Sequence, residues 1–259
     1  MERQYRIQSL AESGVFSNLR VKQPRLESLK QAAWLNLQEA MDAINLIHDN
    51  IPTKNMDDRH FAFSIMWVNC LSDLVGAFRS LQEGFIHPAA AARRTVVESV
   101  AAIVAMKIDE KDFEQFRAGK LNKPKTVTKA TKVFPTLGKS YGQLTQYFTH
   151  EPFEALGRGF ITHGKGGSFV LVPSVERDHA LPQVMAYLDT AILAHNIATA
   201  AEWSFAYTLK EMRHWKHDKG QIRASKSPGM DAIQAGAALL EKTAEEITGR
   251  KRPRAKGGK

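Results

Sequence analysis

The sequence predicts a mainly α-helical protein, a helical bundle with a small β-hairpin insertion near residues 158–173. Apolar residues recur at three- and four-residue spacing through several long segments, which is the pattern of amphipathic helices. Proline, glycine and short polar residues separate these segments, as helix ends require. At residues 157–175 the pattern changes to alternating and β-branched residues around a Lys-Gly-Gly turn, which is typical of a hairpin.

Capping residues and prolines set the helix boundaries. Pro24 lies in the first turn of the first helix, and Asp57 and Asp58 can cap the second. His87-Pro88 opens the third, whose alanines let neighbouring helices approach closely. The predicted helices cover residues 26–51, 60–84, 87–108, 109–119, 125–134, 140–150, 181–217 and 230–248.

Composition predicts one helical domain over residues 1–248, followed by a disordered basic tail over 249–259. The longest strictly apolar run, near residues 100–106, is too short to cross a bilayer, so no membrane partner is expected. No apolar block follows the charged N-terminus, and a cytoplasmic protein is therefore expected. The single cysteine, Cys70, has apolar neighbours and is predicted to lie in the core.

The net charge of +9 is concentrated in two segments. Residues 117–139 contain seven Lys/Arg and no acid, and residues 250–259 contain six Lys/Arg and no acid. Such segments favour the phosphate backbone of RNA or DNA, while a purely solubilising tail is the alternative. The candidate nucleic-acid-binding residues are Lys120, Lys123, Lys125, Lys129, Lys132, Arg250, Lys251, Arg252 and Arg254.

The common cofactor and metal signatures are missing from the sequence. It has no GxxxxGK[ST], HExxH, CxxC or GxSxG motif, so no cofactor is expected. Glu211 and His214 have the ExxH spacing of carboxylate-bridged metal bundles, but such a site needs a second copy and further glutamates. A solvated helix end is therefore predicted there instead of a metal site.

A group of polar residues is predicted on otherwise apolar helix surfaces. Arg94 and Glu98 lie four residues apart and share one helix face, and Tyr141 and His150 follow on a later helix. Polar groups in such positions need one another as hydrogen-bond partners. The group either fixes the register of the helices or forms a pocket in which His150 transfers a proton and Arg94 holds an anion.

These residues form a pattern that resembles a known family. The pattern G-x(6)-A-x-x-R-x-x-x-E, followed about forty residues later by Y-x-x-L-[ST]-x(4)-H-x-P, covers residues 84–152. It looks like a family of uncharacterised bacterial helical proteins related to the HEPN superfamily, with Thr145 where serine is more usual. The resemblance implies a HEPN-like bundle. It also implies that Arg94, Glu98, Tyr141 and His150 occupy the motif positions of that family.

The same resemblance draws attention to Arg158 and His163. HEPN ribonucleases carry an R-x(4–6)-H motif, and these two residues have that spacing. The resemblance implies metal-independent RNA cleavage, with histidine as the acid or base and arginine stabilising the anion. Glycines at 157, 159 and 164 instead predict a loop, whereas the motif of active relatives lies in a helix.

Three functions are compatible with these patterns. The first is a nucleic-acid-associated accessory or defence protein without catalysis, which uses the basic segments. The second is a metal-independent HEPN-type endoribonuclease of phage defence or a toxin system, as the resemblance implies. The third is a structural oligomerising bundle, and a homo-oligomer is the expected assembly.

Overall fold

The computed structural model describes residues 24–51, 56–83, 85–144, 161–163, 169–171, 180–206, 215–218, 221–224 and 226–248. Eight helices and four short strands lie within these residues, which confirms the predicted mainly α bundle. The helices are α1 (Pro24–Asn50), α2 (Asp58–Gln82), α3 (Ile86–Ile108), α4 (Glu110–Arg117), α5 (Lys123–Val133), α6 (Pro135–Leu144), α7 (Ala180–Ser204) and α8 (Pro228–Thr248). The strands are β1 (Ile161–His163), β2 (Phe169–Leu171), β3 (Trp215–Asp218) and β4 (Gln221–Ala224).

Helix α7 forms the centre of the bundle. It contacts α1, α2, α3 and α8, and nearly every residue from 186 to 205 is buried. Helix α7 is buried on all sides because the surrounding helices cover it, and its polar side chains, such as Asp189 and His195, lie near partners on those helices. Its six buried alanines within residues 186–201 let the surrounding helices pack closely.

Side chains cap the N-termini of several helices. The Asp57 carboxylate accepts a hydrogen bond from the amide of His60 at 2.7 Å, which confirms Asp57 as a cap of α2. Asp109 and Asn122 cap α4 and α5 in the same way. These caps satisfy amides that have no partner inside the helix, so local sequence determines where the helices start.

The prediction of one helix over residues 181–217 is wrong at its C-terminal end. Helix α7 ends at Ser204, and Trp215–Asp218 forms strand β3, which pairs antiparallel with β4. In the sequence, two residues lie between these strands, Lys219 and Gly220. Tight hairpin connections favour glycine. Pairing between the strands therefore replaces the last turns of the predicted helix.

The predicted hairpin near residues 158–173 is described only in part. Strands β1 and β2 pair antiparallel, with Thr162 opposite Val170. Residues 158–160, 164–168 and 172–173 lie outside the described residues, so the complete hairpin stays a prediction. Helix α6 begins at Pro135, earlier than expected, and residues 145–150 of the predicted helix also lie outside the described residues.

Helix α2 is more apolar than the sequence analysis allowed. An 18-residue window of it has a mean hydropathy of 1.5, so among the described helices α2 is long and apolar enough to cross a membrane by length and composition. A core helix satisfies the same criterion, and 39% of this window is buried in the bundle. Cys70 lies on its inner face, 1% exposed, as predicted, and burial raises the pKa of its thiol to about 12.

Candidate functional site

The structure brings together three of the four predicted cluster residues. The Arg94 guanidinium donates from Nε to Glu98 Oε1 at 3.1 Å and from a terminal nitrogen to the Tyr141 hydroxyl at 3.5 Å. Its central carbon lies 5.5 Å from the centre of the Tyr141 ring. His150 lies outside the described residues, so its part in the cluster stays a prediction.

This cluster is partly exposed, and two cations share the carboxylate of Glu98. The side chains of Arg94 and Glu98 are 29% and 16% exposed, and Lys123 Nζ approaches Glu98 at 3.6 Å. Burial lowers the pKa of Arg94, but the hydrogen bonds to Glu98 and Tyr141 outweigh it, so the pKa is raised. Arg94 is therefore a permanent cation that links α3 to α6.

The predicted basic residues of the 117–139 segment differ in their pairing. Lys120, Lys125, Lys132 and Lys139 are exposed, and within the described part of the chain none of them forms an ion pair. Lys125 and Lys132 lie seven residues apart on α5, opposite a face that buries Val127 and Ala130. We refer to these four residues as the lysine group.

Lys129 does not share the free charge of the lysine group. Its ammonium nitrogen lies 2.8 Å from Asp109 and also contacts Asp112, and both hydrogen bonds raise its pKa. Two carboxylates therefore neutralise a lysine that the sequence suggested for nucleic-acid binding. Its position ties α5 to the start of α4, which is a structural role.

The ribonuclease motif is only partly described. His163 ends strand β1, where its backbone is opposite Phe169, and Arg158 lies outside the described residues. The position of His163 in a strand differs from the helical position of the motif in active HEPN ribonucleases. Arg250, Lys251, Arg252 and Arg254 of the basic tail and the Glu211–His214 pair also lie outside the described residues.

A buried ion pair between α3 and α7 was missed by the sequence analysis. Arg93 is fully buried, donates a hydrogen bond to the carbonyl of Ala186 at 2.8 Å and lies 3.6 Å from Asp189. Burial raises the pKa of Asp189 to about 6, although Arg93 acts in the opposite direction. Burial lowers the pKa of Arg93, which Asp189 opposes.

A second missed group joins the start of α8 to α1 and α7. Glu39 accepts hydrogen bonds from the Gly229 amide at 2.7 Å and the Ser227 hydroxyl at 3.0 Å, and the imidazole of His195 lies 3.7 Å away. Burial raises the pKa of Glu39, but these three neighbours outweigh it and the pKa is lowered. A Cβ atom at position 229 would collide with the side-chain ends of Asn36 and Glu39, so a larger residue there would displace these two side chains.

The order of contacts in this group argues against nucleophilic catalysis. A serine nucleophile needs its hydroxyl on a base such as histidine, which a carboxylate then orients. Here the carboxylate of Glu39 lies between Ser227 and His195, and Ser227 also accepts a hydrogen bond from the amide of Met230. The group therefore caps and docks α8.

An apolar groove of about 510 Å³ lies between α1 and α8. Trp34, Leu35 and Leu239 are among its apolar lining residues, and Gln31 and Gln38 contribute amides. No titratable side chain is among its lining residues within the described ranges. This groove offers no group for acid–base chemistry.

The spacing of the missed residues from apolar positions on the same helix could have indicated that they are buried. Arg93 lies four residues after Ala89 and seven before Val100, both of which are buried. Asn36 lies seven residues after buried Leu29, and it donates to the carbonyl of Gly229 at 3.1 Å. The partners of these residues are distant in sequence, so periodicity could identify the buried positions but not the pairs.

Comparison with known proteins gives no relative for this chain: no family model matches it, and no curated protein or solved structure matches it either. The HEPN relationship thus stays a prediction that rests on the motif residues.

Proposed function

We propose that this protein is a nucleic-acid-associated accessory protein that binds the phosphate backbone without catalysis. The observation that carries the proposal is the lysine group, four exposed cations that have no acidic partner within the described residues. They belong to a 23-residue segment, 117–139, that contains no acid. The basic tail over residues 249–259 adds a second set of cations in the sequence.

The chemistry of the lysine group favours phosphate over base recognition. Lysine is a compact point charge on a flexible stem, whereas base reading relies mainly on planar groups such as arginine and amide side chains. Lys125 and Lys132 are separated by about 10 Å along α5, and a duplex presents several phosphates over that length. The expected binding is therefore independent of sequence and dependent on salt.

The test is a titration of fluorescently labelled RNA and duplex DNA at several salt concentrations. The double variant Lys125→Gln/Lys132→Gln should bind at least about tenfold more weakly at low salt, and its log–log salt slope on duplex DNA should fall by about 0.9 for each lost contact. The matched control is Lys226→Gln/Lys242→Gln, which removes the same charge from exposed positions near and on α8. Equal losses in both double variants would contradict a localised surface.

The same preparation tests the ribonuclease alternative. Wild-type protein is incubated with labelled transfer RNA and total RNA in EDTA, and the products are examined for 2′,3′-cyclic phosphate ends. We expect intact RNA. Cleavage that His163→Ala and Arg158→Ala both abolish, without a lower melting temperature, would replace the accessory role with a HEPN-type endoribonuclease.

A further inference from the structure

The outward face of α2 carries an apolar stripe that none of the described residues covers. Phe61, Ile65 and Val68 are 47%, 48% and 46% exposed, and their four- and three-residue spacing places them in one row. On the opposite face, Phe63 and Trp67 are buried in the bundle. The first half of helix α2 is therefore apolar on both faces, while the described chain covers only one of them.

The same row continues with small residues. Ser72 and Gly76 follow Val68 at four-residue spacing and are exposed. A Cβ atom added to Gly76 would meet no described atom within 4 Å outside its own stretch of helix, so the described surface is open at this position. The stripe thus presents bulky side chains in its first half and a shallow depression in its second half.

We propose that a second copy of this chain covers the stripe, with the two α2 helices antiparallel about a twofold axis near Val68. In that arrangement Phe61 lies over Gly76 of the partner subunit, and Ile65 lies over Ser72 of the partner subunit. A twofold interface uses one surface twice and must be complementary to itself. The bulky and open halves of the stripe satisfy this condition only in the antiparallel orientation.

The charged residues at the two ends of the stripe also favour the antiparallel arrangement. Asp58, with a side chain 82% exposed, lies one turn before Phe61, and exposed Arg79 lies one turn after Gly76. The antiparallel pair brings Asp58 to Arg79 of the partner subunit at both ends, whereas a parallel pair opposes like charges. The contact of Asp58 with Arg117 at 3.8 Å leaves its carboxylate largely open to solvent.

A membrane surface fits the stripe less well than a second copy. Helices that lie on anionic bilayers carry lysine or arginine beside the apolar face. The bulky end of this stripe is preceded by Asp57 and Asp58, whose side chains are 66% and 82% exposed. Two adjacent carboxylates would oppose an anionic surface at the end of the stripe that inserts.

The first test measures mass by sedimentation over a range of protein concentrations. Wild type should dimerise, Ile65→Asp should be monomeric, and the control Met41→Asp, at a 41% exposed apolar position on α1, should remain dimeric. Gly76→Gln is a second variant for the case in which Ile65→Asp fails to fold, because a Cβ atom at position 76 meets no described atom outside its own stretch of helix and glutamine has the higher helix propensity. It should weaken dimerisation at least about tenfold, and at concentrations where both proteins are monomeric its melting temperature should not be lower than that of wild type.

The second test is specific for the antiparallel orientation. Asp58→Arg and Arg79→Asp should each dimerise more weakly than wild type, because each homodimer opposes like charges at both ends. An equimolar mixture of the two variants should form a heterodimer with wild-type affinity, since both of its ends then pair opposite charges. Lack of recovery in the mixture would overturn the proposed orientation.

Two further results would contradict the proposal that a second copy of the chain covers the stripe. One is a wild-type protein that stays monomeric over the whole concentration range. The other is a monomer that sediments with vesicles containing phosphatidylglycerol, provided that Ile65→Asp abolishes this binding and Met41→Asp does not. That second result would assign the stripe to a membrane surface.

Discussion

Arg93 and Arg94 are consecutive residues of α3, yet they occupy opposite environments. Arg93 is fully buried between α3 and α7, near Asp189. Arg94 is 29% exposed and binds Glu98 and Tyr141 at the surface beside α6. One step along a helix turns the side chain by about 100°, and that rotation is enough to exchange the core for solvent.

The difference teaches that position on the helix, more than residue type, decides what an arginine contributes. Removal of one partner from a buried ion pair leaves the other charge without compensation in a low-dielectric interior. An exposed pair competes with water and contributes about 0–1 kcal/mol. The two arginines of α3 should therefore differ severalfold in their effect on stability.

The largest effect is expected from Arg93→Ala. It should lower the free energy of unfolding by about 3–5 kcal/mol, because Asp189 loses its opposite charge and the Ala186 carbonyl loses its donor. The neighbouring Arg94→Ala is the matched control and should cost about 1 kcal/mol or less. Urea unfolding followed by tryptophan fluorescence measures both, and equal losses would contradict the comparison.

The second-largest effect is a pH dependence of the protein's stability that is caused by Asp189. Its pKa in the fold, about 6, lies above the ordinary value of 3.8, so the fold favours the protonated acid. Protonated Asp189 contributes on the order of 2–3 kcal/mol to the free energy of unfolding. This contribution is complete below pH 4 and is lost as the pH rises through 6. In Asp189→Asn this decline should disappear.

Urea unfolding at several pH values between 4 and 7 measures this contribution. The exposed Asp42→Asn serves as the control and should retain the wild-type decline. Parallel stability profiles for wild type and Asp189→Asn would show that burial of Asp189 has no energetic consequence.

A smaller effect is expected at the surface cluster. Glu98→Ala should lower the free energy of unfolding by about 0.5–1 kcal/mol, because Arg94 loses a hydrogen-bond acceptor that is partly screened by water. Glu114→Ala removes a more exposed carboxylate, 62% exposed and 3.7 Å from Arg117, and should have no measurable effect. A loss at Glu98 as large as that at Arg93 would mean that the cluster is part of the core.

The smallest effect on stability is expected from deletion of residues 249–259. This segment contains almost no apolar surface, so the unfolding midpoint should not change. Nucleic-acid binding should weaken, and its salt dependence should become less steep, because six cations are removed. Unchanged affinity and slope would make the tail a solubilising segment and leave the lysine group as the binding surface.

The convergence of Arg94, Glu98 and Tyr141 was predictable because two independent local patterns pointed to one face. Arg94 and Glu98 share a face by their spacing, and Tyr141 needed a polar partner on a neighbouring helix. The pairing of Lys129 with Asp109 and Asp112 was not predictable, because it depends on how α5 lies against the start of α4. Charge in a sequence does not reveal which cations are neutralised.

The sequence by itself determined the mainly α class, the extent of α1 and the cap of α2 by Asp57, because helix periodicity and capping act between residues a few positions apart. Only the tertiary structure decided that Arg93 meets Asp189, that α7 ends at Ser204, and that Glu39, His195 and Ser227 meet. These outcomes depend on contacts between distant parts of the chain. Such contacts form only when whole helices pack, so no local pattern encodes them.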